Sequence, residues 1–249
     1  MQAGKLFRLR QFMDERFRSF IIAFDVVIPR GLQSDAQDTM SVLENLANMS
    51  CDALLLHSGL AKIAAPILAG KIPFIAKLTT AAVNSPDMTR RVLVDSVEHA
   101  LSLGASGMAM NLFIGSAYEE SMLSNFSEAV IACDRVGVPL LAMVNPMPEY
   151  QYDASKLAYV CRVAAELGAD VVKTDYPGTP EQFSKVVAAC PVPVLIEESP
   201  HADDEKGTLL TTLEVIGCGG AGVMFANRVW AQPMPEQLAS QIFGMVHNY

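Results

Sequence analysis

The hydrophobic positions of the chain follow two alternating patterns, short continuous apolar runs and longer segments with a regular spacing. Short apolar runs bounded by polar residues are typical of strands that are buried on both faces, as in parallel sheets. Eight such runs predict strands at residues 20–25, 53–57, 73–77, 107–111, 139–145, 170–175, 193–197 and 221–226.

In the segments between these runs, apolar residues recur three and four positions apart, which is typical of amphipathic helices. They predict helices at residues 38–48, 89–103, 119–136, 154–167, 180–189 and 209–216. Because parallel strands are joined by helical crossovers, this alternation predicts an α/β fold, a single (β/α)8 or TIM barrel domain spanning residues 1–249. A doubly wound open sheet uses the same units, but eight of them without a long excursion favour closure. Residues 1–19 are predicted to form a short N-terminal helix that closes one end.

Composition narrows the possible functions. Of the 249 residues, 51% are hydrophobic and 18% charged, and the net charge is −9. Such a chain is neither disordered nor fibrous, and its acidic balance disfavours nucleic acid as a partner.

No run reaches the roughly 20 apolar residues that a bilayer requires, so we expect no membrane segment. The basic N-terminus lacks the apolar core of a secretory signal; a transit peptide is the alternative to the closing helix. Five scattered cysteines predict free thiols and a reduced, cytoplasmic location.

Polar side chains end nearly every predicted strand. They are Asp25, His57, Lys77, Asn111, Asn145, Lys173 and Glu197. In a parallel barrel the carboxyl ends of the strands meet at one rim, where the active site forms. One buried aspartate or asparagine alone would more often be structural. Seven polar residues that converge on one rim predict a site for a small molecule.

Lys173 interrupts a strand in which an aliphatic residue is expected. A buried ammonium must be paired, or its pKa must fall. A lysine whose pKa falls toward neutrality can attack a carbonyl and form a Schiff base. Lys77 is expected either to lower that pKa as a second cation or to bind an anionic group. The alternative, equally compatible with the spacing, is a structural ion pair of Lys173 with Asp175 or Asp25.

Three segments resemble the class I Schiff-base aldolases of the archaeal fructose-bisphosphate aldolase and deoxyribose-phosphate aldolase-like superfamily. They are IGSAYE at 114–119, VKTDYPG at 172–178 and VPVLI at 192–196. The resemblance runs from about Phe20 to the C-terminus. It implies that Lys173 is the Schiff-base lysine and Asp25 the acidic residue of the first strand. It also implies fructose 1,6-bisphosphate as the substrate, no metal or organic cofactor, and a homo-oligomer.

Two departures concern proton transfer. The family commonly has Asp-His-Gly at the end of the first strand, where this chain has Asp25-Val26-Val27. It often has a proton-transferring tyrosine before a proline after the fifth strand, and this chain has Asn145 there. Asparagine cannot transfer protons near neutral pH. Tyr176, then Asp25, then Glu149 are therefore the expected proton-transfer residues.

A third departure concerns phosphate. Glycines of the family follow the seventh and eighth strands, where this chain has Glu197-Glu198-Ser199 and Ala226-Asn227-Arg228. Carboxylates repel a phosphate, and alanine lacks the backbone freedom of glycine. Lys77 and Arg228 are the cations expected to compensate. The predicted substrate-binding residues are Lys77, Asn111, Asn145, Glu197, Ser199 and Arg228.

The expected function is a class I aldolase acting on a sugar or sugar phosphate. Two alternatives stay open: a transaldolase- or thiolase-like transfer enzyme on the same barrel, and a non-catalytic sugar-binding barrel. The run from His201 to Glu205 resembles a metal-ligand cluster, but acidic residues also favour helix N-termini, and no metal site is predicted.

Overall fold

A computed structural model describes residues 2–25, 27–32, 38–201 and 204–249. Eight parallel strands of these residues close into a barrel: β1 (Ser19–Ala23), β2 (Ala53–Leu56), β3 (Phe74–Lys77), β6 (Gly107–Phe113), β7 (Leu140–Asn145), β8 (Val171–Thr174), β9 (Val194–Ile196) and β10 (Gly222–Phe225). Each pairs with the next barrel strand along the chain, and β10 returns to β1. All eight predicted strands and the TIM barrel are confirmed. Two further strands, β4 (Thr79–Thr80) and β5 (Val92–Leu93), form an antiparallel pair.

The helices are α1 (Ala3–Leu9), α2 (Val27–Arg30), α3 (Thr39–Leu46), α4 (Ser58–Leu68), α5 (Val97–Ser102), α6 (Glu119–Val136), α7 (Ala154–Glu166), α8 (Pro180–Ala189), α9 (Glu205–Gly217), α10 (Asn227–Trp230) and α11 (Pro235–Asn248), with a 3-10 turn at Pro148–Tyr150. The predicted helix at 89–103 is wrong in its first half. Its helix begins only at Val97, after Ser96 accepts a hydrogen bond from the His99 amide as an N-cap. Within that first half, only Val92–Leu93 have regular structure, as β5.

The N-terminal helix lies against the amino-terminal end of the barrel. The Lys5 ammonium contacts Asp134 at 2.5 Å and Asp170 at 2.7 Å, and Asp170 also accepts a hydrogen bond from the Leu140 amide. The helix is shorter than predicted, because it ends at Leu9 and the chain continues to β1 in turns that bury Phe12. The described part of the chain has no helix long and apolar enough to cross a membrane. All five cysteines are free thiols.

Gly222 permits the pairing that closes the barrel. It faces Ser19 across the β1–β10 pair, its φ is +126°, and an added Cβ would lie 1.9 Å from the Ser19 carbonyl oxygen. Substitution by alanine combines a disfavoured backbone conformation with a collision against backbone. We expect Gly222→Ala to lower the free energy of unfolding in urea by roughly 3 kcal/mol or more. Gly217→Ala is the control, because nothing lies within 4 Å of its added Cβ. Equal stability of the two variants would contradict this account.

His247 attaches the last helix to the barrel. Its Nδ1 lies 3.1 Å from Asp14 and its Nε2 lies 2.9 Å from Asp52, whose carboxylate also accepts from the Phe20 amide. The hydrogen bond to Asp52 raises the pKa of His247 above its usual value, against the opposing effect of burial. A histidine whose pKa is higher in the folded than in the unfolded protein stabilises the folded state. This contribution is fully present below the unfolded-state pKa of about 6.5 and is lost as the pH rises through the folded-state pKa.

His247→Gln should therefore destabilise the protein most at low pH, and the loss of stability should become smaller as the pH rises above about 6.5. Urea unfolding at a series of pH values tests this: the difference between wild type and His247→Gln should shrink with increasing pH. His201→Gln, at an exposed position, should keep the wild-type dependence. A constant difference at every pH would contradict a role for the charged imidazole.

Candidate active site

A cavity of about 320 Å³ opens at the carboxyl ends of the barrel strands. Six of the predicted site residues line it: Asp25, Lys77, Asn111, Asn145, Lys173 and Glu197. Five further polar residues that the sequence did not single out as site residues also line it: Arg30, Arg91, Gln151, Asp175 and Glu198. The convergence of polar strand ends on one pocket follows from the parallel topology.

Lys173 lies at the bottom of this pocket with 2% of its surface exposed. Its ammonium forms an ion pair with Glu197, which follows the neighbouring strand β9. Burial alone would lower the pKa of Lys173, but Glu197 and Asp175 outweigh it and raise the pKa above its usual value. Of the two alternatives that the sequence left open, a lowered pKa and an ion pair, the direction of this shift disagrees with the first. The ion-pair alternative is right in kind, but its partner is Glu197 rather than Asp175 or Asp25.

Asp25 and Lys77 form a second buried ion pair across the pocket. Burial would raise the pKa of Asp25, but the Lys77 ammonium dominates and holds it below its usual value. Lys77 is thus engaged with Asp25 and does not act as the cation that lowers the pKa of Lys173. His57, the polar end of β2, lies behind this pair and donates a hydrogen bond to the Lys77 carbonyl at 3.1 Å.

Asp175 is the centre of a hydrogen-bonded group beside Lys173. Its carboxylate accepts from the side chains of Asn145 at 2.9 Å and Gln151 at 3.0 Å. Burial, with a contribution from the Glu197 charge, raises the pKa of Asp175 to about 6, against the attraction of Lys173. Strand alternation indicates that Asp175 faces the site, because positions 173 and 175 share a face of the strand.

Three predicted site residues do not line the pocket: Tyr176, Ser199 and Arg228. Tyr176 is fully buried; its ring packs on Phe183 and its hydroxyl donates to Glu214 of α9 at 2.8 Å. Burial and that carboxylate raise the pKa of Tyr176. The prediction that Tyr176 transfers protons at Lys173 is therefore corrected, because its hydroxyl faces the helical layer. Ser199 is corrected likewise: its hydroxyl lies 3.2 Å from that of Thr211 on α9.

Glu198 occupies the place where the resemblance implies a phosphate-binding loop. Its carboxylate contacts the guanidinium of Arg228 in α10 and lies 3.4 Å from that of Arg30. Arg228 does not line the pocket. The predicted substrate-binding arginine is thus held by a carboxylate of the chain itself.

The metal-ligand resemblance at 201–205 falls partly on Ala202 and Asp203, which lie outside the described residues. Asp204 is the N-cap of α9 and accepts a hydrogen bond from the Gly207 amide at 2.7 Å, in agreement with the helix-terminus interpretation. Among the described residues, no group of three or more His, Cys, Asp or Glu side chains is placed to hold a metal ion.

A model of the DeoC/LacD family aldolases matches residues 19–231. The chain belongs to this family. A Streptomyces griseus 2-amino-4,5-dihydroxy-6-oxo-7-(phosphonooxy)heptanoate synthase is 32% identical over 93% of this chain and 85% of that protein. A Halobacterium salinarum 2-amino-3,7-dideoxy-D-threo-hept-6-ulosonate synthase is 30% identical over 99% of this chain and 92% of that protein.

Among solved structures, an archaeal fructose-1,6-bisphosphate aldolase has a TM-score of 0.84 and 27% identity, and the match covers 96% of this chain and 97% of that one. That structure contains the catalytic lysine covalently bound to the carbinolamine intermediate of its substrate. The predicted family and barrel are confirmed, and the chain is an enzyme of the aldolase family. The two curated relatives carry the names of heptanoate and heptulosonate synthases, so fructose 1,6-bisphosphate is not established as the substrate.

Proposed function

We propose that the protein is a class I aldolase that forms or cleaves a carbon–carbon bond through a Schiff base on Lys173. One observation carries this proposal: a buried lysine opens into the pocket at the strand ends, and its ammonium contacts a carboxylate that can take its proton. Membership of the aldolase family and the covalent lysine of the archaeal structure support it.

The ammonium of Lys173 must lose a proton before it can act as a nucleophile. Glu197 is in contact to accept that proton as the ketone enters. The free amine adds to the carbonyl carbon, and loss of water from the carbinolamine gives an iminium ion. The iminium accepts the electron pair of the breaking C–C or C–H bond, which yields an enamine. In the direction of synthesis, the enamine carbon attacks an aldehyde, whose oxygen takes up a proton. Hydrolysis of the resulting iminium ion releases the product and regenerates the Lys173 amine.

Asp175 is the proton-transfer residue that the geometry favours. It lines the pocket beside Lys173, and a pKa of about 6 suits both release and uptake of a proton near neutral pH. Asn145 and Gln151 donate to one of its oxygens and hold the carboxylate in place. Asp25 is held ionised by Lys77, so its role is to accept hydrogen bonds from substrate hydroxyls, not to carry protons.

The substrate class is a ketose, a keto acid or one of their phosphates. Because both curated relatives are named synthases, we propose addition rather than cleavage as the working direction. A transfer enzyme remains the main alternative, and product analysis with and without an added aldehyde separates the two. The presence of Lys173, Asp25 and Lys77 in one pocket argues against a non-catalytic sugar-binding barrel. A homo-oligomer and a cytoplasmic location stay predictions.

Exchange of donor protons with solvent tests the proposal without knowledge of the acceptor. Enamine formation from dihydroxyacetone phosphate, dihydroxyacetone or pyruvate should exchange a proton next to the carbonyl for deuterium in D2O with EDTA present, measured by proton NMR. Wild type should catalyse this exchange with at least one donor, and Lys173→Met should not. Absence of exchange with all three donors, or equal exchange by Lys173→Met, would contradict the proposal.

A further inference from the structure

Arg91 projects into the active-site pocket from the segment between β4 and β5. It lines the cavity together with Lys77, Asn111 and Lys173, and its guanidinium lies 5.0 Å from the ring centroid of Phe113. Its Nη1 atom is buried and has no hydrogen-bond partner among the described residues. Buried N–H groups without a partner are rare and costly in proteins.

The charge of Arg91 is also incompletely balanced. Burial lowers the pKa of its guanidinium, and the carboxylates of Asp25, Glu197 and Asp87 offset this only in part. Asp25 and Glu197 are already in direct contact with Lys77 and Lys173. Within the residues that the structure describes, no carboxylate lies within 4 Å of Arg91 to form an ion pair. A further negative charge in the pocket would therefore stabilise it.

Arg30, which also lines this pocket, and Arg228, which does not, differ from Arg91. Glu198 contacts both Arg228 and Arg30. An incoming anion at that end would have to displace the Glu198 carboxylate. Among the described residues, no side chain forms a hydrogen bond or ion pair with Arg91, so an anion there would break none. The planar guanidinium fits the oxygens of a carboxylate or a phosphate.

We propose that Arg91 is the binding site for an anionic group of the substrate, a carboxylate or a phosphate, on the side of the pocket formed by the segment after β3. This anion site rests on the proposed function and deepens it, because it makes the aldol substrate a carboxylic acid or a phosphate ester. The loop after β9, which carries Glu198, is then not the anion-binding side of this pocket.

Calorimetric titration of the purified protein with inorganic phosphate and, separately, with malonate tests the site and distinguishes a phosphate from a carboxylate ligand. Wild type should bind at least one of them. Arg91→Gln should weaken that binding about tenfold or more, the loss expected for a charge-assisted hydrogen bond. Arg91→Lys, which keeps the charge but loses the planar fork, should lie between the two. Arg90→Gln is the matched control, because Arg90 is adjacent, exposed and outside this cavity.

Three results would overturn the inference: no binding of either anion to wild type, unchanged affinity in Arg91→Gln, or loss of binding in Arg228→Gln with Arg91→Gln unaffected. Thermal unfolding of each variant shows whether it is folded, and Arg91→Lys provides the comparison if Arg91→Gln is not. The titration needs no chemistry at Lys173. If anions bind in a way that depends on Arg91 but no deuterium exchange occurs, the proposed function alone is contradicted. If exchange occurs but no anion binding depends on Arg91, only the anion site is contradicted.

Discussion

Lys173→Met should lower the rate of aldol addition by roughly 10⁴-fold or more, because methionine fills a similar volume but cannot form a covalent intermediate. The loss should appear in kcat, since the Schiff base is formed after the donor binds. Lys173 is 2% exposed, whereas its partner Glu197 keeps 20% of its side chain exposed and can be solvated when the ammonium is removed. We therefore expect the variant to remain folded.

The matched control is Lys156→Met. Lys156 lies on α7, outside the cavity, with its ammonium 5.4 Å from the Tyr150 ring centroid. This variant should keep the wild-type rate. Urea unfolding of both variants separates a chemical loss from a folding defect. A Lys173→Met protein that is folded and active within tenfold of wild type would contradict the assignment.

Asp175→Asn should lower kcat by about 10²–10³-fold, the contribution typical of a positioned general acid or base. The burial that raises the pKa of Asp175 to about 6 also predicts the pH profile. A group that must be ionised to remove a proton makes wild-type kcat/KM fall as the pH drops through about 6. Asparagine does not titrate, so Asp175→Asn should lack this fall. The pH profile distinguishes proton transfer from a merely structural role.

Glu149→Gln is the control for this second prediction. Glu149 is a carboxylate of the neighbouring 3-10 turn, but it is exposed and does not line the cavity. It was one of the three expected proton-transfer residues, and its replacement should leave both the rate and the profile unchanged. If Asp175→Asn keeps the fall of kcat/KM near pH 6, that fall belongs to the titration of another group.

The barrel and the position of its site could be predicted because both depend on local periodicity. Apolar runs buried on both faces mark parallel strands, and parallel strands place their polar ends on one rim. The helix α4 did not stand out, because Pro66 interrupts its pattern and alanine and glycine weaken its apolar stripe. The helix prediction is wrong over the first half of 89–103 because β5 pairs there with β4, a tertiary contact that local spacing does not indicate.

The chemistry of the site depended on contacts between strands. Lys173 pairs in register with Leu195, so the carboxylate of Glu197 comes from the adjacent strand end. Sequence spacing offered only Asp25 and Asp175 as ion-pair partners, and left a lowered pKa of Lys173 open as the alternative. Alternation after Lys173 indicates that Asp175 faces inward and Tyr176 outward. The family resemblance favoured a tyrosine instead, so Tyr176 was predicted in place of Asp175. Arg91 falls in the segment predicted as a helix at 89–103, where the spacing does not indicate that its side chain enters the pocket.

Borohydride trapping detects a covalent bond between Lys173 and a ketone directly. The protein is incubated with the donor that exchanges fastest, treated with sodium borohydride and digested, and the peptides are analysed by mass spectrometry. We expect one adduct, a secondary amine on the peptide that contains Lys173, which is absent from Lys173→Met. An unmodified Lys173 peptide, or an adduct on another lysine such as Lys77, would contradict the Schiff base on Lys173.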